Sequence, residues 1–384
     1  MKRCFALIFL TILLLTMLSC NGTENNNIEQ TTVIEDTDDM NTIDLSEYVI
    51  VRPDSATKAT IDICNRFSQD LKEKTGIDFP YKTDYLKEGT PYFTETEKEI
   101  LIGETNREES SLLFEGHKLN DYVIGIVGTK IVINAGNHLS LEAAMERFLN
   151  EFVVNNSSTI DSTMSVTYKY EDEFYISQLE GIKMKVIGDS YFGGSSLGKE
   201  AAWPSLLARK YKMDFINYGV GGSTVSNFVT DRRPMCERYK DMKSGADIVI
   251  FQGGRNDFNQ KVPLGDINSY DTKTFAGAVN VLIDGLEAKY PQALLIGVTA
   301  WYVNDEMYHY SEMMKAICEK RGIVCFDAAN QKLSGVYMDD PVFRATYCLS
   351  PTDVSHLNHD GMMLVLPVFE KFIGEKYIEF VNKN

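Results

Sequence analysis

The stretch KVIGDSYFGGSS, residues 185–196, decides how the second half of this chain is read. Met184 to Ile187 is apolar apart from Lys185, the pattern of a strand running into a core. The chain then turns through Gly188, Asp189 and Ser190 into a polar, glycine-rich segment. Asp and Ser are ordinary turn and helix-cap residues. The tripeptide alone therefore does not separate a simple turn from a serine nucleophile presented at a sheet edge. The surrounding sequence has to decide.

Outward from residue 182, short apolar runs of strand length recur: KMKVIGDS, DFINYGV, ADIVIFQGG, ALLIGVTAW and IVCFDAA. Helix-like segments lie between them: KEAAWPSLLARKY, TFAGAVNVLIDGLEAKY and YSEMMKAICEKRG. Buried strands alternating with helices imply a parallel sheet covered on both faces. Ligands bind outside the carboxyl ends of such strands, and Ser190 stands at one of those ends.

Three further stretches fall where a site at that edge would need them. NYGVGGST, residues 217–224, is a glycine-rich turn in which backbone N–H groups can approach a ligand. QGGRND, residues 252–257, delivers Asn256, an amide able to donate to a developing oxyanion. DVSHLN, residues 353–358, sets Asp353 three residues before His356, so that a carboxylate can orient an imidazole. Each has a plain structural alternative: a turn, a helix cap for Asn256–Asp257, a structural histidine. Together, in this order, they resemble the blocks of the SGNH, or GDSL, hydrolase superfamily over about residues 182–380. The resemblance implies Ser190 as nucleophile, His356 as general base and Asp353 as its orienting acid. It implies an oxyanion hole from the Ser190 N–H, Asn256 and a glycine, Gly221 or Gly222, with the count back from Ser223–Thr224 favouring Gly222. No cofactor is called for. His359 lies close to His356, but no carboxylate or histidine cluster completes a metal site.

The fourth strand ends in AWYVNDEMYHY, residues 300–310. Trp301, Tyr302, Tyr308 and Tyr310 beside Asn304 and Asp305 would suit a sugar, with rings to stack on and polar groups for hydroxyls. The alternative is core and helix packing. Trp301 and Tyr302 are the candidate substrate-binding residues.

The first half has its own pattern. YVIVRPD reads as a strand, and SATKATIDICNRFSQDLKEKTG as a helix with Ala56, Ala59, Ile63, Phe67 and Leu71 on one stripe. KEILIGET is a further strand, DYVIGIVGTKIVINAG a hairpin turning at Gly128–Thr129, and SLEAAMERFLNEFV a closing helix. This unit, residues 46–155, resembles the small α/β domain that accompanies many bacterial polysaccharide-degrading enzymes. Residues 156–181 read as a linker to the second domain, residues 182–384.

Residues 1–20, MKRCFALIFLTILLLTMLSC, carry Lys2 and Arg3 ahead of an apolar run, the form of an export signal. MLSC resembles the lipobox of bacterial lipoproteins, which implies Cys20 as the lipidated first residue and a membrane anchor. Ordinary signal cleavage nearby is the alternative. Residues 21–45 read as a disordered acidic tether. The whole 384-residue chain carries a formal net charge of −17, which argues against nucleic acid as a partner. Five cysteines beyond Cys20 are sparse and irregular, with no legible disulfide framework; Cys318 and Cys325 could pair.

The expected architecture is thus a three-layer α/β/α SGNH-hydrolase domain of flavodoxin-like form with a parallel sheet, preceded by a smaller α/β domain. The expected activity is that of a secreted serine esterase removing acetyl groups from a carbohydrate. A lipase or thioesterase of the same superfamily, and a glycan-binding lipoprotein with an inert site, are the rival readings. All proposed catalytic residues lie in the second domain, so that domain is expected to act on small esters alone.

Overall fold

The computed structural model describes residues 41–85, 97–229 and 232–383. The export signal with Cys20 and most of the tether lie outside the described residues.

In the first domain the strands are β1 (Thr42–Asp44), β2 (Val49–Arg52), β3 (Tyr81–Thr83), β4 (Glu99–Ile102), β5 (Tyr122–Val127), β6 (Lys130–Ala135), β7 (Thr159–Asp161) and β8 (Ser165–Tyr168). Six of them form one sheet in the order β3-β2-β4-β6-β5-β8, while β1 pairs with β7. The sheet is parallel from β3 to β6 and antiparallel where β5 pairs with β6 and β8. Its helices are α1 (Lys58–Thr75), α2 (Glu108–Phe114), α3 (His138–Glu151) and α4 (Tyr170–Glu173). Thr57 caps α1 and Gly76, in the left-handed region, ends it. Ala59, Ile63, Phe67 and Leu71 bury the expected stripe, and Phe67 meets Phe148 of α3 at 5.9 Å.

Two expectations need correction here. Residues 42–44, expected in the tether, are strand β1, and the adjoining Leu45 is fully buried. Residues 156–181, expected as a linker, instead supply β7 and β8, and so complete this domain. Both strands are short and mostly polar, and each buries one apolar side chain, Ile160 and Val166. Their extended state comes from pairing rather than from their own composition.

The second domain holds β9 (Lys183–Ile187), β10 (Asp214–Asn217), β11 (Ile248–Gln252), β12 (Leu294–Val298) and β13 (Val324–Phe326). All are parallel, in the order β10-β9-β11-β12-β13. The helices are α5 (Ser190–Gly193), α6 (Trp203–Lys210), α7 (Met235–Arg238), α8 (Arg255–Asn259), α9 (Phe275–Lys289), α10 (Asp305–Lys320), α11 (Gln331–Ser334), α12 (Pro341–Tyr347) and α13 (His359–Val381). Strand side chains alternate between two cores. Met184, Val186, Ile248 and Ile250 pack with α6, α12 and α13, while Ile187, Val249 and Phe251 pack with α7, α9 and α10. This is the three-layer α/β/α arrangement. Lys185, the polar exception in β9, is buried with its ammonium on the Gly245 carbonyl.

The two domains meet along α11 to α13. Asn120 donates to the Met363 carbonyl at 2.9 Å, and the Tyr170 hydroxyl bonds the fully buried Glu370. His138, the first residue of α3, sets its ring edge-on to Tyr337 and Phe343 at 5.7 and 6.3 Å.

Candidate active site

The strand order reverses beside β9, which lies between β10 and β11, and the ends of these three strands build the site. Asp189 ends the β9 turn and caps α5, accepting from the Tyr191 N–H at 2.9 Å. Ser190 is the first residue of α5, so its own N–H has no intrahelical acceptor. The turn answers the question posed by residues 185–196 in both ways at once. The aspartate caps, and the serine faces a base.

Ser190 Oγ lies 3.0 Å from His356 Nε2, and His356 Nδ1 lies 3.0 Å from Asp353 Oδ2. The other Asp353 oxygen accepts from the N–H groups of Ser355 at 2.8 Å and His356 at 3.0 Å. Burial pushes the Asp353 carboxyl up, but those two N–H groups and the imidazole outweigh it and hold it below the usual carboxylate range. It is therefore ionised at neutral pH and orients the ring. A hydroxyl, an imidazole and a fixed carboxylate in this chain can generate a nucleophile.

Asn256 stands in the first turn of α8, with Nδ2 3.2 Å from Asp189 Oδ2 and 3.1 Å from the Ser223 carbonyl. An ester oxygen arriving beside Ser190 would compete with Ser223 for one of these N–H bonds. Gly221 lies against the nucleophile, with the place of its absent Cβ 3.8 Å from Ser190 Cβ. Gly222 follows with φ +75 and has the Arg232 guanidinium over it. Neither glycine N–H has an acceptor among the described residues. At Gly219 a Cβ would sit 2.6 Å from the Gly193 nitrogen, so glycine alone lets the β10 exit pack on α5.

Trp301 is covered and offers no open face to a sugar. Trp301 is only 3% exposed, with Tyr191 stacked on it at 5.6 Å and Phe369 tilted against it at 6.2 Å. Tyr302 turns its ring to Tyr308 and its hydroxyl to Asp305 at 2.9 Å. Tyr310 is buried, donating to the Val262 carbonyl at 2.5 Å, and Asn304 caps α10. Trp301 instead lines a small recess beside Ser190, with Tyr191, Leu357 and Met362 as further walls. Its free volume is about 10 Å³, room for a single water-sized group. Hollows of about 460 and 430 Å³ lie elsewhere, at the opposite end of the sheet and between the domains. Neither touches the serine.

Several positioning groups were missed or misread from sequence. Arg238 donates to the carbonyls of Tyr218 at 2.7 Å and Gly188 at 3.0 Å and to Ser223 Oγ at 3.0 Å, tying the β9 turn to both ends of the 217–224 turn. Asn217 bridges the Phe192 carbonyl and the Gly219 N–H. Asp257, for which a helix cap was the plain alternative, is fully buried and accepts from the N–H groups of Val225 and Ser226 at 2.9 and 3.1 Å. Arg238 and Asp257 bond distant backbone, and Asn217 joins its neighbour Gly219 to the distant Phe192, so their partners come from the tertiary fold.

Residues 186–364 match the family model of the GDSL-like lipase/acylhydrolases. The second domain is an SGNH hydrolase. No curated protein matches the chain. Among solved structures, a Lactobacillus plantarum protein is 20% identical, covering 51% of this chain and 98% of its own, with a TM-score of 0.46. A Bacteroides ovatus protein described as a GDSL-like lipase is 18% identical over 51% of this chain and 100% of its own, TM-score 0.40. A family two carbohydrate esterase from Clostridium thermocellum, in complex with cellohexaose, is 13% identical over 52% of this chain and 66% of its own, TM-score 0.38. The SGNH domain here carries an α/β region ahead of it, and its family supports an ester hydrolase.

Proposed function

We propose that the protein is a serine esterase that removes acetyl groups from a carbohydrate. The observation that carries this reading is the small apolar recess beside a serine already hydrogen-bonded to its base. His356 takes the Ser190 proton as Oγ attacks the ester carbonyl, and the negative charge falls on the carbonyl oxygen. The Ser190 N–H, the Gly221–Gly222 turn and Asn256 are the donors for that charge, and losing one such donor typically lowers kcat by ~10²–10³. The alcohol departs with the proton held by His356, leaving an acetyl-serine. Water, deprotonated by the same imidazole, then releases acetate. Within the recess a methyl group fits where a chain of methylenes does not.

The carbohydrate part rests on the first domain's likeness to those of polysaccharide-degrading enzymes and on the export signal. In this reading Cys20 is acylated and residues 21–40 tether the enzyme to a membrane. One acyl chain binds a membrane only marginally, and stable anchoring takes two or more. Wild type should therefore partition into detergent and Cys20→Ala into the aqueous phase; equal aqueous partitioning leaves a plain secreted enzyme.

The esterase reading is tested with nitrophenyl esters and with acetate release from acetylated xylan, mannan and pectin. Turnover should fall from two carbons to four and be negligible by eight. Ser190→Ala and His356→Ala should each abolish it, because triad residues act as a unit, with Asp353→Ala milder. A profile rising to eight carbons identifies a lipase instead. Wild-type turnover in Ser190→Ala removes the assignment altogether.

A further inference from the structure

Arg255 is the residue just before Asn256, at the start of α8, and it is 8% exposed. A buried guanidinium is normally met by a carboxylate, because the charge otherwise loses its hydration without replacement. Among the described residues Arg255 has no carboxylate within ion-pair distance. The acids around it are committed elsewhere: Asp189 to Tyr191 and Asn256, Asp257 to Val225 and Ser226, Asp353 to Ser355 and His356. Arg255 instead donates Nε–H to Ser355 Oγ at 2.9 Å and sets Nη1 3.4 Å from Met307 Sδ. Ser355 is one of the two residues between Asp353 and His356, and its own N–H bonds Asp353. The first turn of α8 therefore grips both halves of the site. Asn256 reaches the nucleophile's side, through Asp189, and Arg255 reaches the base's side, through Ser355.

We propose that Arg255 is a positioning residue: it holds Ser355, and with it the Asp353–His356 loop, in register with the strand end that carries Ser190. The inference rests on the esterase reading above. A cation serving packing alone would be satisfied by any carboxylate or by solvent. This one is buried against the loop whose placement sets the Ser190–His356 distance. Its planar fork suits a neutral hydroxyl acceptor at fixed angle, whereas a lysine offers a single flexible ammonium.

The test uses the full chain with Arg255→Met, Arg255→Lys, Ser355→Ala and the Arg255→Met/Ser355→Ala double variant. Turnover of nitrophenyl acetate is measured beside the labelling rate of Ser190 by a small fluorophosphonate. A displacement of about 1 Å in a catalytic group can cost ~10²-fold. Arg255→Met should therefore lower kcat by roughly 10- to 100-fold while KM stays within about twofold, and labelling should slow in step. Arg255→Lys should recover part of the loss. Ser355→Ala should lower kcat in the same direction, and the double variant should lose no more than Arg255→Met alone, since both remove one contact. Wild-type kcat in Ser355→Ala, a loss confined to KM, or additive losses in the double variant each overturn the proposal. Should Arg255→Met fail to fold, Ser355→Ala and Arg255→Lys decide it. Absence of labelling at Ser190 in the wild type strikes the esterase reading instead.

Discussion

Asp189 caps the helix that Ser190 opens and also accepts from Asn256, so one carboxylate serves both the fold and the oxyanion donor. Burial pushes it up to about 7. At the domain junction the opposite case occurs at His138. Burial drives its imidazole down to about 4 from the usual 6.5, against the Gly335 carbonyl bond that favours the proton. Nε2 has no partner there. Below 6.5 the unfolded imidazole takes up a proton that the folded one refuses, so stability falls as pH drops from 6.5 to 4 and changes no further below that. The total is on the order of 3 kcal/mol. Asp189, and Glu370 pushed up to about 8 by burial, slope the other way, losing stability as pH rises toward those values. The difference between wild type and His138→Asn isolates the histidine. Urea unfolding across pH 4–7 should show this difference shrinking as pH falls; a constant difference would mean that His138 titrates normally.

Elements differ in how much of themselves they declare. β9, β11 and β12 are buried on both faces and read as continuous apolar runs, and the helices between them show clear stripes, so the parallel sheet was legible. β7 and β8 were not, because Thr159–Asp161 and Ser165–Tyr168 alternate a single buried residue with polar ones and depend on partners over a hundred residues away for β1 or forty for β5. The candidate site divides similarly. Ser190 and Asn256 follow strand ends, and Asp353 and His356 precede the last helix, all in recognisable blocks. Arg255, Arg238 and Asn217 leave no such trace, since their partners are set by the tertiary fold. Trp301 misled for a related reason. An aromatic at a strand end looks available until Tyr191 and Phe369, brought in from α5 and α13, cover it.

At the scale of the whole molecule the expected independence of the second domain weakens. Glu370 is fully buried with Tyr170, Tyr211 and Lys210 as partners, and Lys210 also donates to the Phe174 carbonyl at 2.9 Å. A chain of residues 175–384 keeps every proposed catalytic residue but loses Tyr170 and Phe174. It also uncovers the face of α13 against which Asn120 and Leu139 lie. Taking the Tyr170 hydroxyl from the buried Glu370 carboxyl and the Phe174 carbonyl from Lys210 costs about 3 kcal/mol, which for a domain of this size lowers Tm by roughly 10 °C. Thermal unfolding of the truncated chain should show that drop, and Glu370→Met within it should recover part. An unchanged Tm would mean the domains dock without mutual support. Small-ester turnover of whatever fraction folds should persist, because no described residue before 175 lines the recess at the serine.

The late position of β7 and β8 bears on how the chain comes into being. A polypeptide leaves the ribosome amino end first, yet β1 waits for residues 159–161 and the open edge of β5 waits for residues 165–168. Through that interval the nascent first domain presents an unpaired, apolar strand edge, the form most prone to joining a neighbouring chain. That edge closes only once residues 165–168 have emerged and paired with β5.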